Sequence, residues 1–160
     1  MRLLLKNVLF TLVVPGTVAF YLPLLIAADL PPASGLRLLL AIALVAAGTA
    51  IYLWCVWDFA TFGRGTPAPI DAPKRLVVRG LYLYVRNPMY VGVLSVLSGW
   101  VVLFGATGLL AYALCAWLFV HLFVVLYEEP HLGRLFGAEY HDYCATVGRW
   151  LPRFRRRQAR

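Results

Sequence analysis

Four stretches of this chain are long and apolar enough to cross a bilayer, and that constrains the fold more than any motif in it. A span takes about 20 mostly apolar residues, within roughly 17–25. The first window runs from Leu3 to Ala28, with Lys6 near one end and Pro15–Gly16 predicting a kink. The others cover Leu36–Phe59, Pro88–Phe104 and Thr107–Tyr127. Of the 160 residues 62% are hydrophobic and 14% charged, with a mean hydropathy of +0.77. Soluble domains are about 45–50% apolar, and a water-facing globule of this length has too little interior to hide the excess. The sequence therefore predicts an all-α integral membrane protein with about four transmembrane helices, as one domain over residues 1–160.

The connections differ in character. "DLPPASG" and "GAT" are short turns, whereas residues 60–87 form a long, polar, basic loop that opens with "GRGTPAP"; loops of that length are usually functional or disordered. After Pro130, Leu132, Leu135, Phe136, Tyr140, Tyr143 and Val147 recur at helical spacing. That pattern predicts an amphipathic helix lying on the membrane surface or on the loop. The net charge is +8. Basic residues concentrate in Arg64–Arg86 and Arg149–Arg160, which places the loop and the C-terminus in the cytoplasm. Arg2 and Lys6 agree, and Arg37 is the one basic residue left on the other side. Both termini inside means an even number of spans, in a multi-pass protein expected in a bacterial inner membrane. The clustering speaks against nucleic acid, and Arg155–Arg157 read as a tail for topology and anionic lipid. Cys55, Cys115 and Cys144 lack metal-ligand spacing, so no metal is expected and the first two read as small hydrophobes. The first apolar segment reads as a span, not as a cleavable signal.

"LFVVLYEEP", residues 122–130, sets two of the seven acidic residues side by side at the end of the fourth apolar run. The helix dipole disfavours negative charge at a C-terminal end by about 0.3–1 kcal/mol each, so a positive partner is expected. Asn87–Pro88 predicts the start of the third span, because Asn is a favoured N-cap and Pro a favoured first helical residue. Gly105–Ala106 is too short for anything but an antiparallel hairpin. "RNPMY" and "YEE", about 40 residues apart, should therefore meet at one end of one helix pair. That corner would hold Arg86, a helix N-terminus, Tyr82, Tyr84, Tyr90 and the acidic pair. Helix starts and arginine suit a carboxylate, acids suit cations and hydroxyls, and tyrosines offer flat apolar faces. S-adenosylmethionine combines those three requirements. Successive helical residues point about 100° apart, so Glu128 is expected to face the ligand while Glu129 pairs with a loop arginine or helps turn the chain at Pro130. The plainer reading is that both merely mark the membrane boundary.

"GLYLYVRNPMYVG", followed after the hairpin by "YEEPHLGRLFGAEYHDYCATVGRWLP", resembles the isoprenylcysteine carboxyl methyltransferase family and the related phospholipid methyltransferases. The likeness covers roughly the C-terminal half, from about Gly65, and includes "GTP" in the loop. It implies a membrane-embedded methyltransferase using S-adenosylmethionine, bound on the cytoplasmic side by regions of about residues 65–92 and 127–147. Carried over position by position, Leu76 and Val77 would line the cofactor cleft and Tyr82 would contact the cofactor. Asn87, Pro88, Met89 and Tyr90 would form the wall at the helix start, with Arg86 and Glu129 beside it and Glu128 as the acidic contact. Gly80 and Gly92 would permit close chain approach. Two departures stand out. The family's usual His is Asn87 here, which cannot titrate near neutrality. Val124 occupies the place of an arginine typical of prenylcysteine enzymes, which argues against a prenylcysteine substrate.

The function expected is methyl transfer to a carboxylate, hydroxyl or amine of an amphiphilic, membrane-soluble acceptor, isoprenoid or lipid-like, that enters sideways from the bilayer. No residue is singled out as a base. Positioning does most of the work in such a displacement. The alternatives are a small non-enzymatic membrane protein, such as a transporter subunit or scaffold, and, third, an NADPH-dependent membrane reductase. His121, seven residues before Glu128, is expected as a neutral side chain hydrogen-bonded to a neighbouring span. Asp58 would pair with Arg64 or face the cleft. Trp54, Trp57, Trp100 and Trp150 read as interfacial anchors or packing residues.

Overall fold

The computed structural model describes residues 2–63 and 75–153, with side chains from Val8 onward. Arg64, the "GTP" segment, the Arg155–Arg157 tail and the side chains of Arg2 and Lys6 lie outside the described residues. The described chain is helical, with helices α1 (Arg2–Gly16), α2 (Leu22–Ile26), α3 (Gly35–Asp58), α4 (Pro88–Phe104), α5 (Thr107–Phe123), α6 (Glu129–Phe136) and α7 (Ala138–Thr146). Among the described residues three runs are long and apolar enough to cross a membrane: Val8–Ile26, Gly35–Gly63 and Thr107–Phe136. Pro88–Phe104 is a shorter apolar helix at the lower end of the spanning range. The protein is thus an all-α integral membrane protein, as its composition predicts.

Helices in a bilayer attract one another through close packing more than through hydrophobicity, so small residues collect where they touch. The α3–α4 pair follows that rule. A Cβ placed on Gly48 would lie 2.5 Å from the Gly92 carbonyl oxygen, and one on Gly92 would lie 2.7 Å from that of Gly48. One more contact of the kind sets Gly99 against Ala41 and Val45. Gly92 permits the close approach expected of it, with the second span as the neighbour. At the far end of this pair Gly105 ends α4 in the left-handed conformation. There Arg37 donates to the Val102 carbonyl at 3.0 Å, and the Ala33 amide donates to that of Leu103 at 2.7 Å. The isolated arginine therefore caps a helix whose last carbonyls would otherwise lack donors.

The first span departs from a plain kink at Pro15–Gly16. The ladder widens into a π turn over Thr17–Tyr21 and resumes at α2, with Pro23 in its first turn. A disturbed ladder leaves carbonyls that hydrocarbon cannot satisfy. Tyr112 donates to the Val18 carbonyl at 2.8 Å and Trp100 to that of Ala19 at 2.9 Å. Trp100 is thus a hydrogen-bonding strut, whereas Trp54 and Trp57 are exposed as anchors would be.

The largest departure concerns the fourth span. The helix does not stop at Tyr127 or turn away at Pro130. It passes through a π turn, Val124–Glu128, directly into α6 and ends at Phe136. Proline lacks an amide hydrogen and clashes with the preceding turn of an α ladder. The widened turn immediately before Pro130 takes up that misfit and lets the rod continue. Glu128 and Glu129 accordingly sit inside a continuous helical run. The single amphipathic helix expected after Pro130 is instead two, α6 and α7, broken at Gly137 (φ 54°).

Candidate functional site

The corner begins where the loop returns to the bundle. Arg79 pairs with the buried Asp58 at 3.1 Å, and the expected partner Arg64 lies outside the described residues. Gly80 then takes φ 55°, a conformation that favours glycine. A side chain there would strike Asp58 Oδ2 and crowd Trp54 Nε1, at 2.5 Å and 3.0 Å from its Cβ. The chain next makes one 3-10 turn, Gly80–Leu83, which drives Tyr82 inward. Tyr82 is buried with Cys55 and Val77 and meets Phe59 edge-on at 5.7 Å. Tyr84 points outward and is exposed, so it leaves the set expected at the corner.

The C-terminal helices close over this turn. Leu76 packs with Tyr140, Tyr143 and Val147, and Leu132 and Phe136 lie against them. The amphipathic face therefore covers the loop, and Leu135 alone of its predicted members is mostly exposed. Tyr143 donates to the Tyr82 carbonyl at 2.7 Å. Burial pushes the phenols of Tyr82, Tyr140 and Tyr143 above their ordinary range, so each is a neutral hydroxyl at pH 7 and none supplies a phenolate.

Val85 and Gly148 form a single parallel bridge, with the Arg86 amide donating to the Gly148 carbonyl at 2.8 Å. Asn87 does not cap α4 with its side chain. It is buried and donates through Nδ2 to the Arg149 carbonyl at 3.2 Å. Helix α4 starts at Pro88 as predicted, but Asn87 ties its start to the chain after α7.

Two arginines meet Glu129. Arg86 Nη1 lies 3.0 Å from Oε1, while Arg149 donates from Nε to Oε1 and from Nη2 to Oε2, both at 2.7 Å. The forked geometry is the strong form of an arginine–carboxylate pair, and it raises the pKa of Arg149. Arg86 Nη1 also reaches Cys144 Sγ at 2.7 Å, and its Nε is buried with no hydrogen-bond partner among the described residues. Glu128, one residue earlier, accepts from the Tyr90 hydroxyl at 2.8 Å. That is its only hydrogen bond among the described residues, so Oε1 remains an open acceptor.

The structure therefore brings together Arg86, Asn87, Tyr90, Glu128 and Glu129, with Tyr82 and Val77 one layer away. Pro88 is buried at the wall, and Met89 packs against the Cys55–Val77–Tyr82 cluster. Leu76 belongs to the separate α7 cluster. Sequence reasoning missed Arg149 as the second clamp on Glu129 and Gly148 as a backbone partner. The signal was an acidic pair with only one nearby arginine, Arg86, to balance it. His121 accepts from Trp150 Nε1 at 3.2 Å and stacks on Trp117 at 5.4 Å. Its partner is thus the C-terminal segment and not a neighbouring span.

Among the described residues no group of His, Cys, Asp or Glu could hold a metal, and the cysteines are free. The donor set instead suits an organic zwitterion. Among the described residues Glu128 keeps one oxygen without a partner beside Tyr90, the Arg86 guanidinium stands close by on Glu129, and the buried ring of Tyr82 lies near both.

The family model for phospholipid methyltransferases matches residues 36–139. The match starts earlier than the likeness drawn from motifs, taking in the second span, and stops before the Gly148–Arg149 segment. A methanethiol S-methyltransferase from Pseudomonas deceptionensis is 35% identical over 88 residues, which is 55% of this chain and 32% of that enzyme. The chain thus matches about a third of that relative's length. No solved structure matches the chain significantly.

Proposed function

Because the chain belongs to the phospholipid methyltransferase family, we propose that it transfers a methyl group from S-adenosylmethionine to a membrane-soluble acceptor, with the donor held at the Arg86–Glu128 corner. The observation that carries this reading is the contrast inside the acidic pair. Both oxygens of Glu129 are taken by arginine, whereas Glu128 has, among the described residues, a partner for one oxygen alone, the Tyr90 hydroxyl. When bound, S-adenosylmethionine supplies a methyl group on a sulfonium, a leaving group that needs no further activation.

The residues divide the remaining work. Glu128 accepts hydrogen bonds from the donor's cationic or hydroxyl-bearing groups, and Tyr90 fixes its carboxylate. Arg86 is held by Glu129 and Cys144 and would offer its positive charge to the donor's carboxylate. Tyr82 and Val77 supply the apolar floor, and α6–α7 exclude water from above. Positioning of this kind lowers a displacement barrier without acid–base help. The neutral phenols and Asn87 offer no base near pH 7, which favours acceptors that arrive ionised or ionise easily. Carboxylates fit, and hydroxyls and amines fit less well. The relative's methanethiol adds thiols to the class. The corner lies on the cytoplasmic face in this reading, because Arg75, Arg79, Arg86, Arg149 and Arg153 all belong to that end.

The test is incorporation of label from methyl-labelled S-adenosylmethionine into organic extracts of membranes with and without the protein. Label that depends on the protein and on Glu128 is the expected result. Equal incorporation with and without it would remove the proposal.

A further inference from the structure

The place of the π turn before α6 decides what Glu128 and Glu129 each meet. Its closing bond runs from the Glu129 amide to the Val124 carbonyl, one residue farther than an α ladder reaches. The helix is held on both sides of it. Val124 is fully buried upstream, and Leu132 and Phe136 pack against the Leu76–Tyr140–Tyr143–Val147 cluster downstream. Between those anchors one extra residue has to be taken up, and only its place is open.

Successive helical residues stand about 100° apart, so the place has consequences. With the π turn beyond the acidic pair, Tyr127 and Glu128 would each take the position its successor holds now. Tyr127 would stand against Tyr90, and Glu128 would meet Arg86 and Arg149. The arginine clamp would still find a carboxylate, whereas the carboxylate beside Tyr90 would be gone. In the observed register Tyr127 faces outward, half-exposed, with its ring stacked on His131 at 5.9 Å.

Proline supplies the pin. Its ring clashes with the carbonyl four residues back and it has no N–H to offer that carbonyl, so the ladder widens there. For Pro130 that carbonyl belongs to Leu126, the middle residue of the Val124–Glu128 turn. The first span repeats the arrangement. Pro23 follows Ala19, the middle residue of the Thr17–Tyr21 turn, by the same four residues, and the Ala19 carbonyl is the one that Trp100 satisfies. Among the described residues these are the two π turns that run on into further helix, and both carry proline at the same offset.

We propose that Pro130 is a positioning residue: it pins the π turn ahead of the acidic pair and so sets Glu128, not Tyr127, opposite Tyr90. That Glu128 then holds the methyl donor rests on the reading above.

Two readouts on the whole protein in detergent test it. In the first, Tyr90→Cys with Tyr127→Cys is treated with a short bifunctional methanethiosulfonate, and the bridged peptides are quantified by mass spectrometry with Pro130 and with Pro130→Ala. Bridging should rise in the alanine chain, and an unchanged yield would overturn the proposal. In the second, without the added cysteines, Pro130→Ala should lower S-adenosylmethionine affinity about tenfold or more, the loss of one charged hydrogen bond. Its Tm should hold or rise, because alanine is the better helix former. A Tm that falls together with affinity would reduce Pro130 to a packing role and overturn the proposal. Deleting Val125 from the Pro130→Ala chain removes the extra residue, returns both glutamates to their observed places and should restore affinity. Rescue by a deletion is beyond a merely structural role, and a deletion chain no better than Pro130→Ala would count against the pin. The cross-link needs no donor, so a natural chain that binds none would tell against methyl transfer while the bridging yield still decides the register.

Discussion

Glu129 and Glu128 are neighbours in sequence and belong to two differently built regions. On the Glu129 side, two guanidinium groups from distant segments converge on one carboxylate, and α7, the Val85–Gly148 bridge and Asn87 lock the segments in place. On the Glu128 side, a single tyrosine hydroxyl among the described residues holds a carboxylate whose other oxygen has no partner among them. The first region spends its hydrogen-bonding capacity on the fold, and the second keeps some in reserve. A binding site needs both, because a reserve oriented by nothing would collapse onto the nearest donor.

Glu129→Gln attacks the closed side and should have the largest effect. It leaves Arg86 and Arg149 beside a neutral amide. Loss of one partner of a largely buried pair costs about 3–5 kcal/mol, or a fall of about 10 °C in Tm for a chain of this size. Differential scanning fluorimetry in detergent reads it. A shift under about 2 °C would mean that the clamp is not structural.

Glu128→Gln should invert the pattern. Charged hydrogen bonds contribute about 1.5–3 kcal/mol, so donor affinity should fall about tenfold or more while Tm stays within about 2 °C. Equal loss of stability in the two variants would erase the distinction between the sides.

Tyr143→Phe tests how the closed side is covered. It removes the donor to the Tyr82 carbonyl and should cost about 1 kcal/mol. Faster amide exchange across residues 80–83, with the α3–α4 pair unaffected, is the expected mass-spectrometric result. The smallest effect belongs to Tyr90→Phe. It frees Glu128 without removing its charge, so donor affinity should drop only about threefold, equivalent to about 0.6 kcal/mol.

The spans were legible because hydrophobicity over about 20 residues is a strong, local signal, and the start of α4 was legible from Asn87–Pro88. The meeting of "RNPMY" with "YEE" followed from a hairpin too short to do anything else. What escaped depends on backbone irregularity. Nothing in residues 124–130 announces that a π turn will carry the helix past Pro130. Asn87 looked like a cap because local propensity favours one, yet the distant Arg149 carbonyl claimed its amide. Arg149 itself sat in a quoted motif, but its partner lay 20 residues away across a break at Gly137. Pairings across such breaks are tertiary and leave no periodic trace.

Isothermal titration of the purified protein with S-adenosylmethionine, run on the natural chain and on Glu128→Gln, is the direct measurement. The open carboxylate predicts saturable binding by the natural chain and a Kd raised about tenfold or more in the variant, with unchanged Tm. No saturable heat up to millimolar donor, or identical curves for both proteins, would contradict it.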